Sequence, residues 1–110
     1  MAEYGATTPR LTARADRIAT GAGVIPPNIW AILIQLLTSL LGGICPTPKA
    51  KADYVNTNLR VVDGQAQKAA RGAGYRRRQA KQIASAVVDD VENNPVTEDE
   101  VTDFAAESQS

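Results

Sequence analysis

The chain has 110 residues, with twelve Lys and Arg balanced by twelve Asp and Glu, no histidine and one cysteine, Cys45. That length holds one small domain at most. Without histidine the commonest general base and metal ligand is missing, and a lone cysteine excludes an intrachain disulfide or a thiolate metal cluster, so a reducing compartment or indifference to redox fits.

The neutral total conceals a polarity. All twelve cations lie between Arg10 and Lys81 beside only four acids, Glu3, Asp16, Asp53 and Asp63, which is twelve minus four, or +8. The remaining residues 82–110 hold eight acids and no base, or −8. A chain so divided predicts contacts between its opposite ends, or two different partners.

Residues 1–27 read as a flexible polar arm, rich in Thr, Ala and Gly, with "GAG" at Gly21–Gly23 as a joint. Arg10, Arg14 and Arg17 are spaced to share one side of a short helix, although such a helix is marginal in isolation. Residues 28–45 form the apolar element. Pro26 and Pro27 punctuate its start and Asn28 is placed to cap it. From there Ile29, Ile32, Leu33, Leu36, Leu37, Leu40, Leu41 and Ile44 repeat at alternating steps of three and one. That regularity makes an amphipathic helical stripe. Trp30, Ala31, Ile34, Gln35, Thr38 and Ser39 fall on the opposite face.

Residues 46–110 read as a helical region with a basic middle and an acidic tail. "CPTPKAKAD" is a proline-broken connector. "TNLRVVDGQAQKAARGAG" forms a weak helix with Leu59, Val62, Ala66, Ala69 and Ala70 on one side, weakened by Gly64 and ended by Gly72 or Gly74. "YRRRQAKQIASAVVDDVENN" is a clearer helix, with Ala80, Ile83, Ala84, Val87, Val88 and Val91 in register and Asn93, Asn94 and Pro95 stopping it. In "VTEDEV", Thr97 and Glu100 form a capping box, Val96 and Val101 a hydrophobic staple, and Glu98 and Asp99 suit the positive end of the helix dipole. The expected fold is all-α: a small bundle of three to four short helices, with one strongly apolar helix and a flexible N-terminal arm.

What covers the apolar stripe decides the functional reading. A membrane span is one answer, because seventeen residues make a helix of roughly 25 Å against a hydrocarbon core of about 30 Å. A secretion signal is disfavoured by its length, and a lipoprotein signal by Ile44 before Cys45. An ordinary core helix of a four-helix domain, packed against Ile83, Val87, Val91 and Phe104 of the same chain, is another, and the favoured answer, slightly ahead of it, is another protein surface. Eight Ile and Leu side chains are worth on the order of 10–20 kcal/mol of burial, and an alanine-rich chain offers little to cover them. The stripe then serves self-association or docking in a larger assembly.

Six cations fall within fourteen residues: Lys68, Arg71, Arg76, Arg77, Arg78 and Lys81. They are candidates for contact with phosphate or with an acidic partner. "AARGAGYRRRQAKQI" loosely resembles a helix-turn-helix in outline, with Arg76, Arg77 and Arg78 early in the second helix. In the helix from Tyr75 to Asn93 the charges run against the dipole, cations first and Asp89, Asp90 and Glu92 last, at up to about 1 kcal/mol per charge. This arrangement points outward, to oppositely charged neighbours such as the acidic tail of another copy.

No catalytic, cofactor or metal constellation is present, so no enzyme, cofactor or small-molecule substrate is expected. The expected role is a non-enzymatic structural or assembly subunit that oligomerises or docks through Ile29 to Ile44, in a virion or a cytoplasmic assembly. In style it resembles minor virion proteins, an analogy that no motif carries. The alternatives are a single-span membrane protein, holin-like or an anchor, and a small nucleic-acid-associated protein using the basic helix.

Overall fold

The computed structural model describes residues 9–24, 26–41 and 47–108, apart from the side chains of Pro9, Pro26, Pro27, Asn28, Leu41 and residues 105–108. Among the described residues every regular element is helical: α1 (Pro9–Ala22), α2 (Pro26–Leu41), α3 (Pro48–Thr57), α4 (Leu59–Gly72), α5 (Arg77–Asn93) and α6 (Glu98–Ser108). The all-α expectation holds, with six helices in place of three to four.

Two of the additional helices come from segments read as irregular. Residues 9–22, assigned to a flexible arm, form α1, with Leu11, Ala15, Ile18 and Ala19 buried on one face. Its last turn closes on Gly23, where φ is +70° and the Gly23 and Val24 N–H groups both donate to the Ala19 carbonyl, at 2.8 and 3.1 Å. A side chain is strained at that φ, so glycine is the natural residue. The connector after Pro46 likewise contains α3. Thr47 is its cap, the Oγ1 accepting from the Ala50 N–H at 3.2 Å, and Pro48 takes the first helical position, where its missing N–H costs nothing.

The stripe on α2 is real, and the chain itself buries the six of its residues whose side chains are described. Ile29, Ile32, Leu33, Leu36, Leu37 and Leu40 are all buried within one chain, and Trp30, assigned by spacing to the other face, is buried with them. Ala31, Gln35, Thr38 and Ser39 are exposed and Ile34 is half-buried. The Leu41 side chain and Ile44 lie outside the described residues. The helix starts at Pro26, so Asn28 sits inside it and does not cap it. Its cover comes from α1 and α4, which both pack against it, while α5 packs on α1 and α4 from the far side. Leu11 and Ile18, on the segment read as an arm, are among the most deeply buried side chains. They supply the large apolar area that the alanine-rich middle lacks. The radius of gyration, 12.7 Å, agrees with the ~13 Å of a folded single chain of this length. For these six stripe residues, the expected need of another surface is not met: the chain's own helices bury them. No helix among the described residues is long and apolar enough to cross a membrane.

The most extensive contact in the fold joins α4 to α5. Val62, Ala66, Ala69 and Ala70 face Ala80, Ile83, Ala84, Val87 and Val91, all buried, and the small side chains let the two backbones come close. Leu59, Arg60 and Asp63 at the start of α4 share a shallow groove with Ser85, Val88 and Glu92 near the end of α5, so the pair is an antiparallel hairpin. Its four-residue turn, Ala73–Arg76, includes Gly74 at φ +102°. Helices packed side by side along their length differ from the splayed pair of a helix-turn-helix. Gly64 lies mid-helix in α4, and a Cβ there would meet nothing within 4 Å. Gly64→Ala is accordingly expected to raise stability by about 0.5–1 kcal/mol, read as a higher urea midpoint at unchanged slope.

The sixth helix begins as its sequence indicates, with one exchange of partners. Thr97 Oγ1 accepts from the Glu100 N–H at 3.1 Å, and Val96 and Val101, the staple pair, are both buried. The Glu100 carboxylate does not close the capping box. It is drawn to Arg14 instead. The packing of α6 on α3 is fixed by Asn56, whose side-chain amide donates to the Val96 carbonyl and accepts from the Val96 N–H, each at 2.8 Å. That two-point contact satisfies a backbone segment which has left the helix, as buried peptide groups require.

Candidate nucleic-acid interface

Two sets of charges, at different places in the fold, behave in opposite ways. The first is internal. Arg14 is 4% exposed, Asp90 7% and Glu100 5%. The Arg14 guanidinium grips Glu100 bidentately, Nε to Oε2 at 2.5 Å and Nη2 to Oε1 at 2.8 Å. It also donates to Asp90 Oδ2 at 2.7 Å and to the Asn94 carbonyl at 2.9 Å. Arg17 reaches the other Asp90 oxygen from the solvent side at 2.5 Å, and Arg10 pairs with Asp103 at the rim. Charges this far from water need both pairing and hydrogen bonds, and here they have both. The arginine face of α1 is thereby neutralised by the acidic C-terminal segment, which is the contact between opposite ends that the charge pattern foresaw.

Sequence reasoning put Arg10, Arg14 and Arg17 on one helical side but missed their partners. One signal was available. Arg14 sits between Leu11, Ala15 and Ile18 at helical spacing, and a lone arginine inside an apolar stripe requires an acid facing it.

The second set is external. Lys68 and Arg71 lie in the last turns of α4, Arg76 ends the turn, and Arg77, Arg78 and Lys81 open α5. The hairpin brings all six to its closed end, and all six are exposed. Among the described residues the paired cations are Arg10, Arg14, Arg17 and Lys49, so none of these six meets a carboxylate. The first turn of α5 carries no acid either; the Arg76 N–H is instead accepted by Gln79 Oε1 at 3.3 Å. Tyr75, which the sequence reading left without a role, stands half-buried in the turn between Arg71 and Arg76 and packs on the core.

Of the acids proposed to receive these cations from another copy, Asp90, Glu100 and Asp103 are bound to α1 and Asp99 lies 3.9 Å from Arg10, while Asp89, Glu92 and Glu98 are exposed. Of the eight residues proposed as a docking stripe, six are core, while the Leu41 side chain and Ile44 lie outside what the structure describes. Among the described residues no group of His, Cys, Asp and Glu is placed to hold a metal ion. A cleft of about 640 Å³ runs between the C-terminal end of α1 and α5, lined by Arg17, Thr20, Ser85, Asp89, Asp90 and Asn93 among others. Compared with protein-family models, curated proteins and solved structures, the chain matches none.

Proposed function

We propose that this protein is a non-enzymatic helical accessory subunit that holds the phosphate backbone of nucleic acid through the closed end of the α4–α5 hairpin. The observation that carries this reading is the contrast between the two charge sets: the arginines of α1 are neutralised inside the molecule, whereas six neighbouring cations are left exposed and, among the described residues, unpaired. Four of them, Arg76, Arg77, Arg78 and Lys81, crowd the positive end of the α5 dipole, an arrangement that an external anion relieves. Phosphate contacts of this kind need exposed Lys and Arg and no base-reading groove, so binding is expected to be indifferent to sequence. The role fits a minor structural component of a nucleoprotein assembly, with the α2 stripe serving the subunit's own core.

The test is fluorescence anisotropy with labelled oligonucleotides. Affinity is expected to fall steeply between roughly 50 and 200 mM salt, with a log–log slope of about −0.7 to −0.9 per phosphate neutralised. Changing Arg76, Arg77 and Arg78 together to Ala should flatten that slope by about two to three and weaken binding equally for unrelated sequences. Binding that ignores salt, or that survives the triple substitution unchanged, rejects the reading.

A further inference from the structure

The cleft between α1 and α5 opens one helical turn from the cationic end of the hairpin. Its α5 wall carries Gln82, Ser85, Asp89 and Asn93, and Thr20 faces them from α1. Side chains four residues apart on a helix are neighbours, about 6 Å along its axis, so Arg78 adjoins Gln82 and Lys81 adjoins Ser85. Cations and cleft therefore form one continuous strip of exposed side chains along α5. The floor is made of small residues: a Cβ on Gly21 would stand 3.5 Å from the Ala86 Cβ.

The two parts of the strip offer different chemistry. The cationic end only donates. In the cleft, the hydroxyls and amides of Thr20, Ser85, Gln82 and Asn93 both donate and accept, and the Asp89 carboxylate only accepts. Asp90 is committed to Arg14 and Arg17, whereas Asp89 is exposed and joins none of the ion pairs among the described residues. An uncommitted acceptor thus lies beside a surface read above as holding phosphates.

From this juxtaposition we infer that the nucleic acid is RNA, its phosphates on Arg78 and Lys81 and the ribose 2′-hydroxyls beside them in the cleft, donating to Gln82 and Asp89. The inference rests on the phosphate-binding reading above and adds which sugar the backbone carries. Every polar atom of a deoxyribose–phosphate backbone is an acceptor, so Asp89 would only repel it. The 2′-hydroxyl both donates and accepts, and it gives that carboxylate a donor.

Anisotropy titrations with RNA, DNA and 2′-O-methyl RNA duplexes of one sequence separate the outcomes. Base pairing occupies the Watson–Crick edges, and methylation keeps the ribose while removing the hydroxyl donor. RNA should bind at least about fivefold more tightly than DNA, and the methylated RNA should fall to the DNA level. Asp89→Ala combined with Gln82→Ala should bring RNA and DNA within about twofold of each other and leave both salt slopes unchanged. The ratio is the readout, because loss of an acid favours both polymers alike. Both side chains are exposed, so the circular dichroism spectrum should stay as it was. Equal affinity for RNA and DNA, or an RNA preference that survives methylation or the double substitution, overturns the inference and leaves the salt-dependent contact standing. Absence of salt-sensitive binding to all three duplexes overturns the phosphate reading itself.

Discussion

Replacing Arg14 by Met is expected to cost about 3–5 kcal/mol, because it leaves Glu100 buried with no cation while the volume of the side chain is largely kept. Asp90 is less affected, since Arg17 still holds one of its oxygens from the solvent side. Against a total stability of about 5–15 kcal/mol for a domain of this kind, such a loss removes much of the folded population. Urea unfolding followed by circular dichroism measures it. The same experiment on Arg14→Met combined with Glu100→Leu distinguishes pairing from packing. With Glu100 gone and Asp90 still paired with Arg17, no buried charge is left without a cation, and the double variant should recover most of the stability. If the double variant is no better than the single, the network does not act through uncompensated charge.

Substitution in the α2 stripe should unfold the protein, where a docking surface would merely release a partner. Leu36 is 2% exposed and Ile32 1%. Leu36→Ala is expected to cost about 2–5 kcal/mol, the range for a deleted buried leucine whose cavity only partly collapses. Gln35→Ala, one residue away on the exposed face, should stay within about 0.5 kcal/mol. Light scattering of the unmodified chain should report a monomer. Dispersal of an oligomer into stable folded monomers by Leu36→Ala would reject the internal packing of α2.

The helices and their buried faces were legible wherever apolar side chains are numerous and evenly spaced. The 3-and-4 spacing of α2 and α5 gave both faces, and Thr97, Val96 and Val101 gave the start of α6. What failed was the inference from composition to cover. The missing apolar area lay in Leu11 and Ile18, on a segment whose alanines, threonines and charges read as polar, and α1 is stable only because of what it packs against. Such a helix has no strong local signal, since its stability comes from packing against α2 and α5 and from acids in the C-terminal segment. The α3 helix was obscured by prolines that read as breakers. Pro48 follows a Thr47 cap, and there proline begins a helix. The basic cluster was visible as a run of charge, but its freedom from carboxylates was not, because it depends on where the fold sends Asp90, Glu100 and Asp103.

The Arg14 clamp also sets a timetable for biosynthesis. Synthesis proceeds from the N-terminus, so α1 leaves the ribosome long before Asp90, Asn94 and Glu100 exist, and its arginine must stay hydrated until they are translated. Since α1 shields one side of the α2 leucines, these too stay accessible to chaperones or to misassembly over that interval. The later helices α5 and α6 thus license the earlier α1 to settle, which ties completion of the native core to completion of the acidic segment.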